Sequence, residues 1–126
     1  GCCRVDFDTL IKESDFISLN VPLTSKTRYM IKEKDFKKMK ETAYFINTSR
    51  GGLYKDEILA RALENKWIAG AGIDVFENEP DTGKLKELDN IILTPHIGTY
   101  TVETRKNMEI EAVENLINGL KKVEKI

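Results

Sequence analysis

Long apolar runs are missing from these 126 residues, and so is any excess of charge. No stretch approaches the roughly 18 consecutive apolar residues that a membrane-spanning helix requires. Against 20 basic side chains stand 21 acidic ones, leaving a net charge of −1 with both signs mixed along the chain. A nucleic acid or an anionic membrane would need a basic face. The basic doublets Lys37-Lys38 and Lys121-Lys122 read instead as solvated helix faces. Cysteine is confined to the adjacent pair Cys2 and Cys3, which excludes a disulfide framework and any metal site of ordinary ligand spacing. A reducing, cytoplasmic setting is the expectation that follows. Gly1-Cys2-Cys3-Arg4 starts no signal peptide and, lacking Met, predicts a cut or processed N-terminus. Histidine occurs once: His96, between Pro95 and Ile97, is the lone side chain of that type able to titrate near neutral pH.

What is present is an alternation of short apolar runs with helical patterns. Residues 16–21 read as a strand stopped by Pro22, and residues 44–46 as a second, stopped by Asn47-Thr48-Ser49-Arg50-Gly51-Gly52. Residues 69–75 and 91–93 supply two more, each followed by turn formers. Residues 32–40 predict a short helix. Ile58, Leu59, Ala62 and Leu63 recur on one helical face behind Asp56 and Glu57, which suit the first turn. A longer helix is expected from a Thr101 N-cap through Met108, Ala112, Leu116 and Leu120. Strand, helix, strand, helix, strand, strand, helix is the order of an α/β fold with a parallel sheet and right-handed crossovers. The length suits one domain with a real core.

In open α/β sheets ligands bind outside the carboxyl ends of the strands. The four runs are followed by "NVPLT", "NTSRGG", "DVFENEP" and "TPHIG", which deliver a proline turn, an arginine, a carboxylate pair and the sole histidine to one rim. Taken singly, Arg50 reads as a surface cation and Glu79 as a loop acid, while Asp74 reads equally as a strand-end acid bonded to nearby amides or as a site residue, and His96 equally as a hydrogen-bonded structural residue or as a catalytic one. Together they read as a carboxylate anchor, a titratable imidazole and an acid able to orient it.

Three long segments, "FISLNVPLTSKTRYMI", "FINTSRGGLYKDEILARALENKWIAGAGIDVFENEP" and "NIILTPHIGTYTVETRKNM", resemble the D-isomer-specific 2-hydroxyacid dehydrogenases, specifically the second half of their NAD-binding domain. The resemblance implies a Rossmann-like parallel sheet flanked by helices. It also implies hydride transfer between NAD, with NADP as the alternative, and a small 2-keto or 2-hydroxy acid. Arg50 corresponds to the arginine that binds the substrate carboxylate, His96 to the acid that protonates the keto oxygen, and Glu79 to the carboxylate that stabilises that imidazolium. Asp74 corresponds to the aspartate facing the nicotinamide, and Val21, Pro22, Thr48, Ser49 and Gly98 to cofactor-lining positions. D-lactate-like and phosphoglycerate- or glyoxylate-like substrates are both implied.

Two departures narrow the resemblance. Asn20 stands where many members carry histidine, which predicts a local hydrogen-bond change. No G-x-G-x-x-G is present: Gly70-Ala71-Gly72 starts like one, but Val75 takes the third glycine's place. Residues 1–126 are therefore expected to be a partial NAD(P)-binding domain, with the first βαβ half and the substrate domain outside them. The chain alone is expected to turn over little, and its uncovered edge predicts a homo-oligomer. A non-catalytic remnant or interaction module is the alternative. A response-regulator-like domain fails, because Asp6 and Asp8 precede a helical pattern rather than a first strand.

Overall fold

The computed structural model describes residues 2–80 and 83–123, which divide at His96 into two units. The first contains helix α1 (Phe7–Glu13), strand β1 (Phe16–Leu19), helix α2 (Glu33–Phe36), strand β2 (Tyr44–Asn47), helix α3 (Asp56–Glu64), strand β3 (Gly70–Ile73), a short 3-10 helix (Gly83–Glu87) and strand β4 (Ile91–Leu93). All strand pairs are parallel, in the spatial order β1-β2-β3-β4. The α/β parallel sheet predicted from sequence is thus present, with α1 and the 3-10 helix added to the expected order.

Strands β1 and β3 are shorter than their apolar runs, whereas β2 runs one residue past its expected end, to Asn47, and β4 spans the expected residues 91–93. β1 ends at Leu19 because the Asn20 side chain turns back, its amide donating to the Ser18 hydroxyl at 3.1 Å and carbonyl at 3.4 Å. β3 starts at Gly70 and ends at Ile73, so Gly70-Ala71-Gly72 is sheet and not a phosphate-binding turn. The expected helix over residues 32–40 shrinks to Glu33–Phe36, with a turn carrying the rest.

Alternation sends β-strand side chains to opposite faces, and the two faces differ. Ile17, Phe45 and Ala71 form one register row and Leu19, Asn47 and Ile73 the next, all buried. Over them packs an aromatic cluster, with Phe36 and Tyr54 each edge-on to Phe45 at centroid distances of 5.0 and 5.1 Å. Leu59, Ala62 and Leu63 of α3 join the same core, as their helical spacing predicts. The other face leaves several large side chains exposed. Phe16 is 68% exposed and stacks on half-exposed Tyr44, Ile92 is 72% exposed, and a Cβ added at Gly72 would meet nothing within 4 Å.

The second unit carries helix α4 (Val102–Val123). Thr101 caps it as expected, its hydroxyl accepting from the Thr104 amide at 3.1 Å. No described residue of α4 is buried.

Candidate active site at the strand ends

Parallel strands bring their carboxyl ends to one rim, and neighbouring strands lie about 4.8 Å apart. The exits of β2 and β4 are therefore about 10 Å apart.

At the β2 exit the chain must turn at once. Asn47, the last strand residue, is wholly buried. Its Oδ1 accepts from the Ser49 amide at 3.1 Å and hydroxyl at 2.9 Å, and its Nδ2 donates to the Arg50 carbonyl at 2.9 Å. Gly52 completes the turn at φ +76°, a conformation open to glycine. Gly51 has a different reason to lack a side chain: a Cβ there would lie 1.8 Å from the Phe76 carbonyl oxygen. The Arg50 turn thus rests directly on the β3 exit. Arg50 is exposed, and its Nη1 donates to the Ser49 carbonyl at 2.6 Å.

The β3 exit holds the acids. Asp74 is buried and accepts from the Thr94 hydroxyl at 2.5 Å, and its amide donates to the Asn47 carbonyl at 3.0 Å. The following turn is tied down at Glu77, whose amide donates to Asp56 at 3.0 Å and whose carboxylate accepts from the Tyr29 hydroxyl. Glu79 then folds back, accepting from the Phe76 amide at 3.2 Å. At the β4 exit the His96 amide donates to the Thr94 carbonyl at 3.0 Å across Pro95. His96 itself sits at φ +55°, a left-handed conformation uncommon outside glycine, asparagine and aspartate but found enriched in histidine. That backbone brings the ring to Glu79, whose two carboxylate oxygens each lie 3.0 Å from Nδ1. Bonding to His96, with the Phe76 amide, holds the Glu79 pKa below its ordinary 4.5. The side chains stay 39% and 49% exposed, so this pair is reachable from solvent.

Two clefts flank these residues. One of about 220 Å³ is walled by Phe76, Pro80, Leu93 and Pro95, with Glu79 and His96 on its edge. A shallower one of about 310 Å³ brings together Val21, Pro22, Ser49 and Arg50 with Asn20. The Pro22 loop there is pinned, the Thr27 hydroxyl donating to the Pro22 carbonyl at 2.6 Å. Thr48 is exposed on the same turn, and Gly98 falls in the second unit. A larger hollow, about 520 Å³ beside α3, is lined by Asp56, Glu57, Arg61, Glu64 and Lys84 among others and holds none of the sequence-predicted site residues.

Sequence reasoning thus named Arg50, Glu79, His96 and Asp74 but missed their supports: Asn47, Thr94 and the Phe76 backbone. Asn47 was read only as a strand stopper. An amide ending a run of strand residues immediately before a glycine turn was the one available signal.

The family model described as "D-isomer specific 2-hydroxyacid dehydrogenase, NAD binding domain" matches residues 1–98. Glyoxylate reductase from Thermococcus litoralis is 54% identical over 118 residues, covering 93% of this chain and 36% of that protein. Among solved structures, a glyoxylate reductase from Paecilomyes thermophila superimposes with a TM-score of 0.90 at 44% identity, over 94% of this chain and 36% of that one. D-lactate dehydrogenase from Aquifex aeolicus, complexed with NAD and lactic acid, gives a TM-score of 0.87 at 37% identity, over 97% and 42%. The chain spans little more than a third of the length of the curated relatives it matches. Matched over more than half its residues, it belongs to the D-isomer specific 2-hydroxyacid dehydrogenase family, in the NAD binding domain.

Proposed function

We propose that residues 1–126 are the nicotinamide-side part of the cofactor domain of an NAD-dependent reductase of small 2-keto acids, a D-2-hydroxyacid dehydrogenase in the reverse direction. The observation that carries the reading is the pairing of both Glu79 oxygens with His96 Nδ1 at 3.0 Å. An ionised carboxylate only accepts, so Nδ1 keeps its proton and Nε2 is the nitrogen left to trade one with a substrate oxygen. His96 then protonates the keto oxygen as negative charge develops there and takes the proton back in the reverse direction. Glu79 holds the ring and stabilises the imidazolium. Arg50 grips the substrate carboxylate, and its planar fork can fix which face of the keto carbon is presented.

NADH, when bound, supplies the hydride. The wall of Val21, Pro22 and Ser49, largely apolar and small, fits a flat ring, and Thr48, Asp74 and Gly98 are assigned with them to the cofactor side. The sequence has no glycine-rich phosphate turn, so the pyrophosphate anchor is not among these residues, and the first βαβ half and substrate domain belong to the rest of the whole protein. A compact keto acid of the glyoxylate or hydroxypyruvate type is the favoured substrate, because the Thermococcus litoralis relative is named for glyoxylate. The open sheet face around Phe16, Tyr44 and Ile92 supports self-association, which light scattering would reveal as a mass above that of one chain.

The test is NADH oxidation by the whole protein with glyoxylate as substrate. Keto-acid-dependent oxidation that collapses in His96→Gln is expected; full activity in that variant overturns the proton-donor role. For the chain alone, NADH titration followed by NMR separates a half-site, which shifts the His96 and Asp74 signals, from a remnant, which leaves them fixed.

A further inference from the structure

We propose that Asn47 is a positioning residue that aims Arg50 at its substrate. In the register row Leu19, Asn47, Ile73, Leu93, Asn47 is a primary amide among aliphatic side chains, and it is wholly buried. Burying an amide is costly unless its polar atoms are satisfied, and an aliphatic residue would fill a strand end at no such cost. Three of its side-chain bonds run to one place. Oδ1 takes the Ser49 amide and hydroxyl, and Nδ2 takes the Arg50 carbonyl. The amide therefore stitches both residues that flank the Ser49-Arg50 peptide to the end of a core strand, and its own backbone carbonyl accepts from the Asp74 amide at 3.0 Å.

The consequence is mechanical. Arg50 is exposed and reaches out on a flexible stem, so its direction at the rim is set by the backbone from which it starts. With the peptide fixed, less rotational freedom remains to be lost when the guanidinium closes on a carboxylate. Without Asn47 the turn keeps Gly51 and Gly52, the two most permissive residues in it, and loses the buried side chain that accepts from the Ser49 amide and hydroxyl.

The inference rests on Arg50 being the carboxylate anchor, so its test carries that reading as a separate arm. In the whole protein, KM for glyoxylate, KM for NADH and kcat are measured for Asn47→Asp, Ser49→Ala and Arg50→Gln. Aspartate keeps the acceptor for Ser49 but cannot donate to the Arg50 carbonyl. KM for glyoxylate is expected to rise about tenfold, the equivalent of one net hydrogen bond, with kcat changed less. Ser49→Ala, which leaves the core untouched, is expected to raise it about twofold to threefold. A purely structural role would lower the amount of active protein, and so kcat, while leaving KM unmoved. Should Asn47→Asp fail to fold, the Ser49→Ala shift decides. An unchanged glyoxylate KM in both, with a raised KM in Arg50→Gln, overturns the Asn47 role and leaves the anchor standing. An unchanged KM in Arg50→Gln overturns the anchor, and the Asn47 role with it.

Discussion

Arg50 and His96 come to the same rim on opposite kinds of support. The arginine is fixed at its root, where a buried amide and a close glycine contact hold the backbone, and its exposed tip bonds only to the neighbouring Ser49 carbonyl among the described residues. The histidine is fixed at its tip by a carboxylate, while its root is a short proline turn at a left-handed φ. One arm is preorganised through the main chain and the other through a side-chain pair. The first kind of support is tied to the fold, the second to the protonation state of a solvent-reached group. Mutations should therefore separate them: damage to the arginine arm appears in stability and substrate binding, and damage to the histidine arm in chemistry and pH dependence.

The largest expected effect is at His96. Glutamine can still donate to Glu79 but carries no exchangeable acid proton, so kcat should fall about 10²- to 10⁴-fold. Stability should hardly move, because the side chain it replaces is 49% exposed. Single-turnover NADH oxidation and urea unfolding of the same variant check both halves. Loss of stability comparable to the loss of rate would erase the contrast between the arms.

Next in size is Gly51→Ala. Its methyl would lie 1.8 Å from the Phe76 carbonyl oxygen, and Phe76 is backbone that also holds Glu79 through its amide. Overpacking of this kind costs about 1–3 kcal/mol, and here it pushes the two arms apart. Gly52→Ala meets only the Leu23 methyls at 3.5 and 3.6 Å, and carries its strain in φ +76°, about 1–2 kcal/mol. Urea midpoints should fall for both. The Glu79–His96 pair, read from the His96 ring NMR signals, should be disturbed by the first alone.

The third effect is a pH dependence. Glu79 is held below its ordinary value by His96, so the folded chain keeps this carboxylate ionised after the unfolded chain has begun to protonate it. The stabilising contribution is full above the ordinary glutamate value of 4.5 and fades as pH falls through the lower folded value. Glu79→Gln removes that contribution and should flatten the acid limb of a stability profile below about pH 4.5. Solvent exposure keeps the change small. An acid limb identical to wild type would mean that the pair does not persist in solution.

How far these arms were legible in the sequence follows from the same contrast. Strand-and-turn patterning marks where a chain leaves a sheet, so "NTSRGG" and "TPHIG" located both residues, and β4 falls on the expected Ile91–Leu93. What holds them is not local. The partner of Gly51 lies 25 positions on, since 76 − 51 = 25, and Glu79 meets His96 across 17 positions. The two glycines serve different ends: Gly52 turns and Gly51 makes room. Strand ends were overrun for a related reason: Val21 and Val75 read as continuing their strands, but Asn20 bonds back onto Ser18 and Asp74 bonds sideways to Thr94. The open face of the sheet was legible only as an expected edge.

The smallest effect sharpens the comparison from beneath. Tyr54 packs in the core edge-on to Phe45 and Phe36, and its hydroxyl is buried without a hydrogen-bond partner among the described residues. Burial pushes its pKa up, the Asn47 side chain beside it opposing. A buried hydroxyl left unpaired is a desolvation cost with no return. Tyr54→Phe removes that cost and keeps both ring contacts, so it should stabilise the chain by about 1 kcal/mol, seen as a higher urea midpoint. It should leave the glyoxylate KM of the whole protein untouched, because the Asn47 bonds to Ser49 and Arg50 do not involve the phenol. A destabilised variant would instead show that the phenol has a partner, with Asn47 the amide beside it. In that case the support of Arg50 would extend one layer deeper, into the aromatic cluster.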